Sequence, residues 1–361
     1  MAAKIVNVVN SISPNITKVL VNREIFVRLT NVLDDSIEVQ PVDFKQTKLE
    51  NLLGWSNPFV YYNFLRFSKF IDSKIDKLIF INGGITACHA TTLSLFILAK
   101  LNKITTCVYY PMYHNDTELN LSYFKSISYN KATTRIIRLS DEFITIDEVW
   151  RERLLTTFGY KKVNVGVIHN YIEFKCFDSL ENERRPIINN KPMVGFVGRF
   201  DKHQKGLDIL LRVLYYLDNL LESPIDFLFL GDGPYKNEFE SHVNSNPLRN
   251  INCRFLGWVD DATSFMKDFR LLIMTSRCEG VPTVMIESLG LGVDVVAFDI
   301  PGISKVLPSD CLVSDFDESK MADVINQRIS HSLSCNYDKK YVDSLYDYSR
   351  FVKQVKLCLG E

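Results

Sequence analysis

Strand-like and helical stretches alternate along this 361-residue chain; the alternation runs once, breaks at a polar segment, and starts again. In the first run, Lys4–Val9 reads as a strand, Thr17–Leu33 as a helix and Ile37–Val42 as a second strand. Leu78–Asn82, Thr105–Tyr110, Glu142–Ile146 and Asn164–His169 continue as strands, with helices over Cys88–Lys100 and Val149–Phe158. The break is Phe174–Lys191, polar at Glu181-Asn182-Glu183-Arg184-Arg185-Pro186 and turn-rich at Asn189-Asn190-Lys191-Pro192. The second run opens on the apolar strand Met193–Val197. A chain this long exceeds one ordinary core, so we expect an α/β protein of two domains, residues 1–180 and 181–340.

Some function classes fall away at once. Lys and Arg number 42 against 43 Asp and Glu, which gives no global reason to expect a nucleic acid partner. The eight cysteines form no Cys-x-x-Cys pair, a usage that favours reduced thiols in a cytoplasmic protein. No apolar stretch reaches the ~18 to 20 residues that span a bilayer, and Met1–Asn10 lacks the form of a signal peptide. The first loop, Asn10–Ile16, contains no glycine, so the Gly-x-Gly-x-x-Gly fingerprint of NAD-binding enzymes is absent. Asn57–Lys77 mixes aromatic and basic residues at helical spacing. We read it as a core helix with snorkelling lysines; an anionic membrane surface is the alternative.

Chemistry concentrates in the second run. Arg277-Cys278-Glu279-Gly280-Val281-Pro282-Thr283 is a loop between a buried strand, Phe269–Met274, and a helix over Thr283–Leu291. Pro282 fits the first turn, and the unbonded N–H groups of Thr283 and Val284 form a seat for phosphate. Glu279 in the loop and Glu287 one turn into the helix suit a hydroxyl-rich group such as a sugar or a ribose. A second loop, from Gly198 to Gly206, carries Arg199 and Lys205, two cations that can meet a diphosphate. In the first run, His114 follows the strand ending at Tyr110, at the sheet end where open α/β proteins bind ligands.

These segments come in a familiar order. Gly198-Arg199 with Lys205-Gly206, Gly231-Asp232-Gly233-Pro234, Phe255-Leu256-Gly257 and Glu279-Gly280 with Glu287 resemble the retaining glycosyltransferases of family four. The resemblance is strong over residues 140 to 310 and weak over the first hundred. It implies the GT-B fold, two Rossmann-like domains facing a cleft, with a C-terminal helix in 341–361 packing back on the first domain. It implies transfer of a hexose-type sugar from a UDP-sugar or GDP-sugar to a saccharide or lipid-linked acceptor in cell-surface glycan synthesis. Arg199, Lys205, Glu279 and His114 would be catalytic. Glu287, Pro282, Thr283, Val284, Gly198, Gly257, Trp258 and Val259 would hold the donor, the last three beside the base. Family four needs no metal, since protein cations take its part, and no cofactor. The site would lie in the cytoplasm, with peripheral attachment to the inner membrane face as the alternative. A nucleotide-sugar epimerase on the same fold and a non-catalytic sugar-nucleotide-binding scaffold are the rival readings. Departures are Ser13-Pro14-Asn15 in place of the first-loop glycines, Asp294 where proline is common, and Tyr171 where glycine usually follows Asn170.

Overall fold

A computed structural model describes residues 2–12, 18–22, 33–42, 65, 67–71, 75–81, 90–113, 115–116, 122–157, 164–173, 191–331 and 335–359. The chain divides into two compact units, residues 1–170 with 348–361, and residues 171–347.

The first unit opens on α1 (Ala2–Ile12), followed by the strands β1 (Lys18–Asn22) and β2 (Glu38–Val42). The expected strand at Lys4–Val9 is therefore a helix, and the expected helix from Thr17 begins instead as a strand. Val and Ile suit strands locally, but Ile5 and Val8 lie three apart and both are buried. Their cover comes from the far end of the chain, where α1 meets α11 (Tyr348–Leu359). The helix is also pinned by polar contacts, with Asn10 Nδ2 donating to Ser36 Oγ at 2.7 Å and the Asp34 amide to Asn7 Oδ1 at 3.1 Å. β1 and β2 pair in parallel.

A four-stranded parallel sheet follows among the described residues, in the order β3 (Lys77–Ile81), β4 (Thr105–Tyr109), β5 (Glu142–Thr145), β6 (Asn164–Val167). Its helices are α2 (Ala90–Leu101), α3 (Tyr123–Leu139) and α4 (Glu148–Thr157). The expected helix at Asn57–Lys77 is described only in part. Lys77 opens β3, and Phe67 is buried against Leu95 and Leu98, as the core reading requires of it. α3 was not foreseen, because its polar, threonine-rich sequence has a weak apolar stripe. Among the residues of α3 whose burial is described, Tyr129, Thr133 and Ile136 are the fully buried ones.

In the second unit β7 (Met193–Val197), α5 (Leu207–Leu220), β8 (Ile225–Leu230), α6 (Lys236–Ser245) and β9 (Ile251–Gly257) come first. Then follow α7 (Thr263–Met266), β10 (Leu271–Met274), α8 (Thr283–Gly290), β11 (Asp294–Phe298), β12 (Leu312–Val313), α9 (Glu318–His331) and α10 (Lys339–Ser344). The strands form one parallel sheet in the order β12-β11-β10-β7-β8-β9. β7 and β10 are thus neighbours although two strands separate them in sequence. At such a reversal of strand order the loops leave in opposite directions and open a crevice outside the carboxyl ends. Phe196, Phe200, Phe227, Phe229, Phe239 and Phe255 fill the adjoining core, with the Phe229 and Phe255 rings stacked at 4.6 Å. A rigid floor results beneath the loops.

The single helix expected over Tyr341–Leu359 is two helices. Asp338 caps α10 through the Tyr341 amide at 3.0 Å, and the Ile172 amide takes the Leu345 carbonyl at 3.0 Å. With that acceptor used by another segment, the chain turns before α11, and the two helices fall in different units. α11 contacts β6 and α1 of the first unit. Among the described residues no helix is long and apolar enough to cross a membrane.

Candidate active site

The loop after β7 and the loop after β10 flank the strand-order reversal, and they carry the cations and the carboxylate singled out above. Lys205 Nζ lies 2.6 Å from Glu279 Oε1, with side chains only 16% and 6% exposed. Ser276 Oγ donates to the same carboxylate oxygen at 2.8 Å. Pairing does not exhaust either group, since an ammonium offers three N–H bonds and a carboxylate about four lone-pair sites. Arg199 behaves differently. Its side chain is 59% exposed, held by Gln204 Oε1 and Asp201 Oδ2, each at 3.2 Å. Asp201 Oδ1 accepts from the His203 and Gln204 amides, which folds the loop back so that Arg199 and Lys205 leave it within one turn of chain.

What registers the two loops is Arg277. Its NH1 donates to the Lys202 carbonyl and to Asp208 Oδ1, both at 2.8 Å, and its NH2 to Asp208 Oδ2 at 2.7 Å. Its amide bonds the Gln204 carbonyl at 2.9 Å, and Thr275 Oγ1 bonds the Lys205 carbonyl at 3.1 Å. Gly206, at φ +62° before α5, brings its backbone so close that a Cβ there would stand 2.1 Å from the Thr275 carbonyl oxygen. Sequence inspection passed over Arg277 and Asp208 as partners, because their 69-residue separation gives no local signal.

Burial pushes the Asp208 carboxyl up, but the Arg277 hydrogen bonds and charge, with Arg212, outweigh it and hold Asp208 below its ordinary value. A depressed carboxylate contributes stability that is complete above its unfolded value near ~4 and lost as pH falls through the folded value. Asp208→Asn should therefore lower the thermal midpoint at pH 7 by roughly 2–4 °C. That deficit relative to wild type should shrink as the pH is taken towards ~3, which a pH series of melting curves will show.

α8 begins at Thr283 after Pro282, whose carbonyl accepts from Met285 at 3.2 Å. By the geometry of a helix start, the Thr283 and Val284 amides have no intrahelical acceptor and carry the positive end of the dipole. The other end of α8 is held by two tyrosines that sequence reasoning missed. Tyr346 Oη donates to the Ile286 carbonyl at 2.8 Å and Tyr337 Oη to the Leu289 carbonyl at 3.2 Å. Burial, then the Glu287 carboxylate, push the Tyr346 phenol well up, so it stays a donor. Glu287 is half-buried on this helix. Gly257–Val259 ends β9 at the same carboxyl edge of the sheet, with Trp258 76% exposed and Val259 packed partly on the core. Gly198 donates its N–H to the Leu230 carbonyl at the end of β8. His114 lies outside the described residues. Asp294 accepts from the Cys335 amide at 2.8 Å.

These two loops, the start of α8 and the end of β9 all lie at the carboxyl edge of the second unit's sheet. Residues 191–331 match the family model for glycosyl transferases group 1. The match runs from the strand before β7's loop through α9 and so contains both loops. An uncharacterized 41.2 kDa protein in the cps region of Klebsiella pneumoniae is 26% identical over 206 residues, 55% of this chain and 54% of that protein. The Campylobacter jejuni GalNAc-alpha-(1->4)-GalNAc-alpha-(1->3)-diNAcBac-PP-undecaprenol alpha-1,4-N-acetyl-D-galactosaminyltransferase is 32% identical over 143 residues, 40% of this chain and 36% of that enzyme. The aligned part thus spans about half or less of these relatives. Among solved structures, Anabaena Alr3699/HepE in complex with UDP-glucose superposes with a TM-score of 0.71 at 15% identity, covering 99% of this chain and 95% of that one. The fold is GT-B, an α/β architecture with two Rossmann-like units.

Proposed function

We propose that the chain is a retaining glycosyltransferase that moves a hexose-type sugar from a nucleoside-diphosphate sugar to a saccharide or lipid-linked saccharide acceptor. The observation that carries this reading is the Lys205–Glu279 pair bridging two loops at the strand-order reversal of a group 1 glycosyltransferase domain. In the reaction the bond between the anomeric carbon and the diphosphate oxygen breaks. The acceptor oxygen bonds that carbon from the same face, and its proton passes to the departing phosphate.

Lys205 and Arg199 meet the charge that grows on the diphosphate, where preorganised cations are most effective. The Thr283 and Val284 amides, after Pro282, receive phosphate oxygens, while Glu279 bonds sugar hydroxyls and Glu287 the ribose. Gly198 permits close approach, Gly257, Trp258 and Val259 flank the base, and His114 serves beside the donor sugar. The charge balance rests on these protein cations, with no metal or cofactor called for. HepE was crystallised with UDP-glucose, so a uridine donor is the first to try. The acceptor named for the Campylobacter relative is carried on undecaprenyl diphosphate, which supports a lipid-linked acceptor in cell-surface glycan synthesis at the inner face of the cytoplasmic membrane.

The test is incubation with UDP-sugars and GDP-sugars and a panel of lipid-linked saccharides, followed by NMR of the product. We expect nucleoside diphosphate release that needs acceptor, and a product with the donor's anomeric configuration. An inverted product would refute retention. Conversion of the sugar without acceptor would point to an epimerase, and binding without turnover across the panel to a scaffold.

A further inference from the structure

Two thiols that the mechanism does not use meet in the second unit. Cys311 ends the short turn Ser309–Cys311 that leads into β12, and Cys335 lies between α9 and α10. Their sulfurs stand 2.9 Å apart across 24 positions of chain, with the Cys311 thiol donating. Both backbones are tied in place. The Cys335 amide donates to Asp294 Oδ1 at 2.8 Å, at the start of β11, and the Cys311 amide to the Pro308 carbonyl at 3.0 Å. Arg328, in the last turn of α9 and 2% exposed, donates to Asp310 Oδ2 at 2.7 Å, so α9 holds the residue next to Cys311. Access to the two sulfurs is unequal: Cys311 is buried and Cys335 half-buried. The hydrogen bond to Cys335, then burial, push the Cys311 thiol up, so Cys311 keeps its proton.

We propose that Cys311 and Cys335 are a redox-modification site, converted reversibly to a disulfide by low-molecular-weight disulfides such as glutathione disulfide. The Cys335 thiolate, the reachable one, attacks one sulfur of the oxidant and expels one glutathione. Cys311 then loses its proton, and its sulfur attacks the Cys335 sulfur with which it is already in contact, expelling the second glutathione. Two protein thiols are oxidised and one small disulfide is reduced, and the two protons end on the two released thiols. The new bond closes a loop around α9 and so removes conformations from the unfolded chain. It also fastens the segment that leads, two residues on, to Tyr337, the donor to the Leu289 carbonyl at the end of α8. Oxidation thus stabilises the second unit.

The test starts from the reduced full chain, incubated with millimolar glutathione disulfide, alkylated with N-ethylmaleimide and mapped by peptide mass spectrometry. We expect a linked Cys311–Cys335 peptide pair, a melting temperature raised by roughly 5 °C or more, and reversal of both by dithiothreitol. Cys335→Ala should abolish the link and the shift together. Cys311→Ser should leave glutathione on Cys335, which identifies the sulfur attacked first. Where burial of Cys311 keeps that variant from folding, Cys335→Ala, at the half-buried position, carries the test. Absence of a linked pair in the native chain, a link that forms only in urea, or glutathione that remains on Cys335 of wild type overturns the proposal. A linked chain that melts with the reduced one overturns the stabilisation. Because the readouts are thiol chemistry and melting, the proposal holds or fails separately from sugar transfer.

Discussion

Replacing Lys205 by alanine is expected to lower kcat/KM for sugar transfer by about 10²- to 10³-fold, the usual effect of removing one preorganised group that meets developing charge. Most of the loss should fall on kcat, because the charge on the diphosphate oxygen grows as the bond to the sugar lengthens. The ammonium cannot be replaced by its neighbour, since Arg199 leans on Gln204 and Asp201 at the exposed end of the loop. Lys205→Arg should recover little, because the planar fork does not fit the 2.6 Å contact that a compact ammonium makes with Glu279. The substitution also strands Glu279, but Ser276 still donates to it, so the stability cost should fall short of the ~3–5 kcal/mol for breaking a fully buried pair. Steady-state kinetics with melting curves on the same preparations separate the two effects.

Gly302→Ala is expected to damage the same site from behind. Gly302 sits at φ +91°, where side chains are strained, and a Cβ there would stand 1.8 Å from the Gly280 carbonyl oxygen and 3.1 Å from that of Glu279. Backbone lies on both sides of the contact, so relief requires the Glu279–Gly280 segment to move. We expect a stability loss of roughly 2–5 kcal/mol from strain and overpacking together, read by urea denaturation. Transfer activity at temperatures where the variant is folded should fall as well, since Glu279 shifts away from Lys205. A variant as stable and as active as wild type would show that the Gly302 approach has no bearing on the site.

The second unit was legible in the sequence from Met193 through Leu291, and in the first unit the strands from Leu78 to His169 with the helices at Cys88–Lys100 and Val149–Phe158 were legible too, whereas the opening residues and α3 were not. Met193–Val197 is continuous, apolar and closed by a glycine, and each later strand likewise ends in a glycine or a polar turn, so local signals and the final fold agree. At Lys4–Val9 local preference pointed to a strand, whereas α11, more than three hundred residues away, supplies the cover that makes it a helix. Long-range partners explain the other omissions too. Lys205 and Glu279 stood out because each sits in a loop with its own turn chemistry, and α8 because Pro282 marks its start. Arg277–Asp208, Tyr337 and Tyr346 were missed because each acts on a segment 48 to 69 residues away. Those residues set where the legible ones stand.

The most direct measurement is titration calorimetry of the full chain with nucleoside diphosphates and their sugars, on wild type, Lys205→Ala and Glu287→Ala. Nucleotides of one base should bind wild type, Lys205→Ala should weaken that binding about tenfold or more through the lost phosphate contact, and Glu287→Ala should weaken it through the ribose. Equal affinity in all three proteins, or no binding of any nucleotide to wild type at millimolar concentration, would contradict a donor site between these two loops.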